Sequence, residues 1–162
     1  MSSTPPIESV QHWIDRFATA LSNRDIAGAC DLFAPTACWR DLLAFSWNIY
    51  TAEGVEQIEQ MLRATLADTR PHTWEISGEP EAVQGDVIAW LAFQTAAGAG
   101  KARVVLSDGR CKLLFTTLLA LHGYAEKTAA NRNREHGVEH GAKKNRQSWL
   151  DRKRAAEAAL GD

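Results

Sequence analysis

Asp41 is the first residue in this sequence from which chemistry could be built. It follows Trp39 and Arg40 in a stretch where Trp39, Trp47, Tyr50, Trp74 and Trp90 gather most of the large rings, with Asn48 among them. Aromatic faces interrupted by a few polar groups are the usual lining of small-molecule sites, and Phe115 extends the candidate lining. A carboxylate in apolar surroundings has a raised pKa and can shuttle a proton. His122, near the end of the last predicted strand, is its candidate partner. Each residue also has a plainer reading: rings fill ordinary cores, and Arg40 and Asp41 can make structural ion pairs at a strand end.

Other motifs lead less far. His136-Gly137-Val138-Glu139-His140 spells H-x-x-E-H, which in zinc peptidases needs both histidines on one helical face and a ligand well downstream. Here Gly137 and Gly141 bracket a stretch without helical periodicity, so solvated histidines are expected and no metal site. Gly98-Ala99-Gly100-Lys101 lacks the remaining glycines and the Ser or Thr of a phosphate loop, and is expected to connect strands. No G-x-S-x-G occurs. No cofactor-binding residue is assigned.

The 162 residues are 45% apolar and 23% charged with a net charge of −2, which fits one globular domain able to hold a core without disulfides or metal. Residues 1 to 125 carry nine Lys and Arg against fourteen Asp and Glu, and residues 126 to 162 nine against six, so the basic side is the tail. Its charges are mixed in sign and lack interleaved aromatics other than Trp149, a poor pattern for nucleic acid. No apolar run approaches the ~20 residues of a membrane helix, and Met1 to Pro6 has no signal-peptide character. No nucleic acid, no membrane and a cytoplasmic location are therefore expected, with Cys30, Cys38 and Cys111 as core thiols.

The elements that must position these residues are read from periodicity. Ile7, Val10, Ile14, Phe17 and Leu21 predict an amphipathic helix after Thr4-Pro5-Pro6. A shorter one follows Asn23 or Asp25 and stops near Pro35. Ala37 to Leu43 reads as a strand with Trp39 and Asp41 on one face and Cys38, Arg40 and Leu42 on the other. Phe45 to Tyr50 is a connection, and Thr51 or Glu53 opens a third helix that ends before Pro71. The period then changes to 2: Thr73 to Ser77, resuming around Ala82, Val87 to Phe93, Lys101 to Leu106 and Cys111 to His122, with a hairpin at Ser107-Asp108-Gly109-Arg110. Both faces of the last strand are apolar, so one is expected against helices and the other against a second copy, in a homodimer. A polar linker, 126–147, precedes a helix, 148–162, capped by Ser148 and Asp151, whose thin apolar face needs a surface to dock on.

This is an α+β pattern, and with Trp39-Arg40-Asp41-Leu42-Leu43 and Phe45-Ser46-Trp47-Asn48 it resembles the nuclear-transport-factor-2-like, or SnoaL-like, superfamily. The resemblance implies a cone-shaped curved antiparallel sheet wrapped around N-terminal helices, over residues 1–125. Lys101-Ala102-Arg103, Leu114-Phe115-Thr116-Thr117-Leu118, the segment Glu135 to Gly141 and Asn145-Arg146-Gln147-Ser148-Trp149-Leu150-Asp151-Arg152-Lys153-Arg154 narrow it: together they resemble the N-terminal region and linker of bacterial flavin-containing monooxygenases. That likeness implies a non-catalytic accessory domain with a small-molecule pocket for a hydrophobic ligand. FAD and NADPH would enter only with a flavoprotein domain in cis or trans, because the glycine fingerprint that follows the linker in such proteins has no counterpart here. The superfamily's isomerases and dehydratases imply the alternative, a free-standing enzyme with Asp41 as proton shuttle. The tyrosine those isomerases carry on the first helix is missing, and Trp13 and Phe17 are what this helix offers.

Overall fold

The structure, a computed structural model, describes residues 5–124 and 148–159, which belong to two units treated separately below. The 126–147 stretch with its H-x-x-E-H motif, Thr4 and Gly161 lie outside the described residues.

In the first unit, α1 (Pro6–Ser22) places Val10, Trp13, Ile14, Phe17 and Leu21 on one buried stripe, as side chains three or four residues apart share a helix face. Pro6 sits in the first turn, where its missing N–H costs no bond. In α2 (Ile26–Cys30) the Asp25 carboxylate accepts the Gly28 N–H at 2.9 Å as a cap. The chain then enters β1 (Phe33–Leu42), earlier than its proline suggests. Pro35 is tolerated because the ladder changes register between Phe33 and Cys38, where no N–H is required of it. A short strand not expected from sequence, β2 (Ile49–Glu53), precedes α3 (Gly54–Thr69), which buries Ile58, Met61, Leu62 and Leu66. Arg70, left-handed at φ 44°, ends it ahead of Pro71. The strands β3 (His72–Ile76), β4 (Glu81–Val83), β5 (Asp86–Gln94), β6 (Gly98–Ser107) and β7 (Arg110–Leu121) complete the unit.

The seven strands make one curved, unclosed sheet in the order β2-β1-β7-β6-β5-β3, with β4 also paired to β5. Every pairing is antiparallel except β1 with β7, which is parallel. The β6–β7 turn has Asp108 at φ 49° and Gly109 at φ 75°, the left-handed pair that a tight hairpin demands. Gly98-Ala99-Gly100, expected to connect strands, instead begins β6. A Cβ on Gly98 would stand 1.8 Å from the Ala120 carbonyl oxygen, and one on Gly100 2.4 Å from the Phe93 ring, so both glycines serve close approach inside a paired strand.

Helices α1 and α3 cover one face of the sheet. Between them and the strands, Phe17 lies against Trp13, Phe33, Trp39 and Trp74, while Trp39 meets Phe45 and Trp74 stacks on Phe93 with ring centroids 4.4 Å apart. These rings fill the interior of the cone. A register shift between Val105 and Leu106 turns Cys111 to this buried side beside Leu114, against the simple alternation of β7.

Cys30 and Cys111 are buried, whereas Cys38 is half-buried on the opposite face. Burial, then the Glu59 and Asp31 carboxylates, push the Cys30 thiol up to about 11, and burial raises Cys111 further. A raised folded-state pKa favours the neutral thiol, so its contribution to stability is complete below the unfolded value of ~8.5 and is lost as pH rises toward 11. Labelling the native protein at pH 8 with a thiol reagent is expected to modify Cys38 well before the other two; equal rates at the three positions would contradict this burial.

The second unit holds α4 (Trp149–Ala159), none of whose residues is buried. The Ser148 N–H and hydroxyl donate to the Asp151 carboxylate at 2.9 and 2.7 Å, and the Asp151 N–H returns a bond to the Ser148 hydroxyl, a reciprocal cap. Those bonds hold the Asp151 carboxyl below its ordinary pKa. Trp149 and Leu150 are exposed, with the Lys153 ammonium 5.5 Å from the Trp149 ring.

Candidate functional site: the Asp41 clamp and the groove it builds

Alternation along β1 sends Asp41 and Trp39 to the helix side, where both are fully buried. The parallel pairing with β7 sets Thr116 opposite Asp41. The Trp39 Nε1–H donates to the Thr116 hydroxyl at 2.8 Å, and that hydroxyl donates to Asp41 Oδ1 at 2.6 Å. Asp41 Oδ2 accepts three further bonds, from the Phe45 N–H at 3.0 Å, the Ser46 N–H at 2.8 Å and the Ser46 hydroxyl at 2.7 Å. A buried carboxylate with this many donors is a fully satisfied acceptor.

What those bonds hold is the loop 43–48 between β1 and β2. Leu43 has φ 67° and Trp47 φ 54°, and a bulky residue in the left-handed region costs on the order of 1 kcal/mol or more. The Leu43 N–H bonds back to the Asn48 carbonyl at 3.0 Å, closing the loop over the carboxylate. The result is that Leu43 and Trp47 stand 41% and 58% exposed instead of folding into the core. Beside them, β7 shifts register between its pairings with Ala99 and Gly100, which turns Leu119 outward, and Leu121 and Tyr124 follow. Leu43, Trp47, Leu118 to Leu121 and Tyr124 line an open, mainly apolar groove of about 360 Å³.

Of the residues expected to enclose one cavity, only Trp47 lines this groove. Trp39 and Trp74 are packed in the aromatic core. The Trp74 Nε1–H is buried without an acceptor among the described residues. Tyr50 is 38% exposed on the edge strand β2. Trp90 and Phe115 are on the face of the sheet away from the helices, because strand alternation opposes them to the buried Leu91 and Leu114. The expected common lining is thus corrected: the rings are divided among core, loop and outer face. Asp41 and His122 are not hydrogen-bonded to one another; His122 Nε2 lies 3.3 Å from the Thr95 carbonyl oxygen. Sequence reasoning missed Thr116 and the groove residues Leu43, Leu119, Leu121 and Tyr124. The available signal was the apolar run Leu118 to Leu121 continuing past the length its neighbours need. Among the described residues, no cluster of three metal-ligating side chains is assembled.

No family model matches the sequence, and no curated protein matches it. Solved structures do. A ketosteroid isomerase-like protein from Erwinia carotovora atroseptica superposes with a TM-score of 0.57 at 11% identity, over 70% of this chain and 95% of that one. A domain with a cystatin-like fold from Nostoc punctiforme gives 0.57 at 12% identity, over 75% and 82% of the two chains. The fold is nuclear-transport-factor-2-like. A candidate isomerase from Bacillus subtilis gives 0.56 at 14% identity, over 72% and 90% of the two chains. At these identities the likeness carries the architecture and assigns no residue a role. No helix among the described residues is long and apolar enough to cross a membrane.

Proposed function

We propose that the chain is a non-catalytic accessory module that binds a small hydrophobic ligand in the groove between the 43–48 loop and the end of β7. The observation that carries this reading is the exposed Trp47 ring, held in a strained loop by a buried carboxylate, beside four consecutive apolar residues of β7. Energy spent on presenting a large ring to solvent is characteristic of binding surfaces. The conical interior is occupied by aromatic side chains, which supports a ligand site in the groove over one inside the cone. The likeness of Asn145 to Arg154 to a flavin-monooxygenase linker supports a flavoprotein domain, in cis or trans, as the holder of FAD and NADPH.

A ligand specific for the folded state at a hundred times its Kd stabilises by about 2.7 kcal/mol. A thermal-shift screen with small hydrophobic compounds is expected to raise the melting temperature of the native chain, and Trp47→Ala to lose most of that gain. A gain retained in Trp47→Ala, or no stabilising compound at all, refutes the reading.

The names of the Erwinia and Bacillus structures favour a second reading, an isomerase-like enzyme with Asp41 as proton shuttle. It requires a carboxylate that can release its donors, and Asp41→Asn separates the two readings by its effects on stability and turnover.

A further inference from the structure

The C-terminal ends of α1 and α3 and the start of β3 line a second cleft, of about 380 Å³, which shares no residue with the groove. Leu21, Leu66 and Pro71, all buried, supply its apolar lining, and Arg24, Arg70 and His72, all exposed, its polar lining. Both arginines stand where a left-handed residue ends a helix. Arg24 has φ 55°, and its N–H and that of Asp25 bond back to the Leu21 and Ala20 carbonyls, the paired closure in which glycine is the usual residue. Arg70 has φ 44°, and its N–H bonds to the Leu66 carbonyl. A Cβ strains that conformation, so glycine would end each helix better than arginine does.

The fold draws little from a guanidinium at either place. Among the described residues neither Arg24, Arg70 nor His72 has a carboxylate within ion-pair distance. A cation does complement the partial charge of about −0.5 at a helix C-terminus, but a basic residue in the last turn would do so without left-handed backbone, and neither helix has one there. Two full positive charges against two such half charges leave the cleft net positive by about one charge. His72 Nδ1 lies 3.0 Å from the Arg70 carbonyl oxygen, which ties the imidazole to the same helix end.

We propose that this cleft binds a small organic anion, its carboxylate or phosphate head held by the Arg24 and Arg70 guanidinium groups and its apolar body against Leu21, Leu66 and Pro71. The two linings need each other: exposed arginines alone hold an anion weakly in water, and apolar side chains alone give burial without direction. The volume is at the small end of ligand sites, which run from about 300 to 1,000 Å³, and suits a body of about eight carbons.

Isothermal titration of the full chain at low salt with octanoate and with octyl phosphate is expected to show saturable binding, the tighter of the two identifying the head group. Octanol, which has the same body and no charge, should bind at least about tenfold more weakly. Arg24→Gly and Arg70→Gly should each weaken anion binding about tenfold, the loss of one charge-assisted pair. Arg63→Ala, which removes an exposed cation paired with Glu59 on α3, should leave it unchanged. Glycine adopts the left-handed conformation freely, so both glycine variants should melt at or above the native temperature, which separates loss of the ligand from loss of the fold. No saturable binding of either anion, octanol binding as tightly as octanoate, or native affinity in both glycine variants overturns the proposal, and the octanol comparison needs no variant.

Discussion

Asp41→Asn is expected to cost about 2 kcal/mol of folding stability and Asp41→Ala about 3 to 5, because each leaves buried donors without an acceptor. In the native protein one carboxylate takes the Phe45 and Ser46 N–H groups and the Ser46 hydroxyl on one oxygen and the Thr116 hydroxyl on the other. An asparagine in the same place keeps an acceptor for the loop but turns an amide donor toward Thr116. That hydroxyl already accepts from Trp39 and loses the group it donates to. Alanine removes both acceptors and releases the strained Leu43 and Trp47 as well. Urea unfolding followed by tryptophan fluorescence measures the loss. The proton-shuttle reading expects the reverse profile: Asp41→Asn abolishing turnover with stability within about 0.5 kcal/mol of native. A stable Asp41→Asn protein would falsify the clamp; a destabilised one moves Asp41 from chemistry to architecture.

The second large effect is expected at Phe17. Its ring is fully buried and lies within 6 Å of the Trp13, Phe33, Trp39 and Trp74 centroids. Truncating a core phenylalanine to alanine typically costs about 3 to 5 kcal/mol, and four aromatic neighbours place this site at the upper end, since each edge or stacked pair adds about 0.5 to 1.5 kcal/mol beyond burial. Trp90→Ala, by contrast, removes a ring already 40% exposed and should cost the monomer under about 1 kcal/mol. The comparison bears on function. Were the cone an open ligand chamber, Phe17→Ala would enlarge it at little cost; a loss below about 1.5 kcal/mol would show that the interior is not the solid packing described.

Much of this architecture was legible in the residues. The apolar stripe of α1, the Asp25 cap, the Asp108-Gly109 hairpin and the alternation of β1 around Trp39 and Asp41 each rest on local rules, and each is present. β2 was not legible because five residues, Ile49 to Glu53, are too few to show a period, and only pairing with β1 makes them a strand. Gly98 to Gly100 looked like a break because glycine's use for close approach depends on Phe93 and Ala120, distant in sequence. For the site, the sequence singled out Asp41 but not its partner. Thr116 reaches it only through the parallel β1–β7 ladder, whose two strands are separated by most of the fold and leave no local mark. The expected single lining of rings fails for a related reason: alternation says which rings of one strand share a face, and not which face the helices will cover.

That same ladder also constrains the order in which the protein can assemble. β1 is made early and β7 last, yet β7 is the strand that separates β1 from β6. Until residues 110–121 arrive, the β1–β2 pair has one bare edge, the Asp41 carboxylate lacks its Thr116 donor, and the β5–β6 pair is a separate piece. Closing a chain segment of that span carries a loop entropy that only the finished sheet offsets, so folding should be a late and concerted event, slower than the local helices and hairpin would suggest. A ribosome-bound chain short of β7 would expose β1, an unprotected strand with Trp39 and Phe33 on one side, and would depend on rapid completion or a chaperone to avoid pairing with a neighbour.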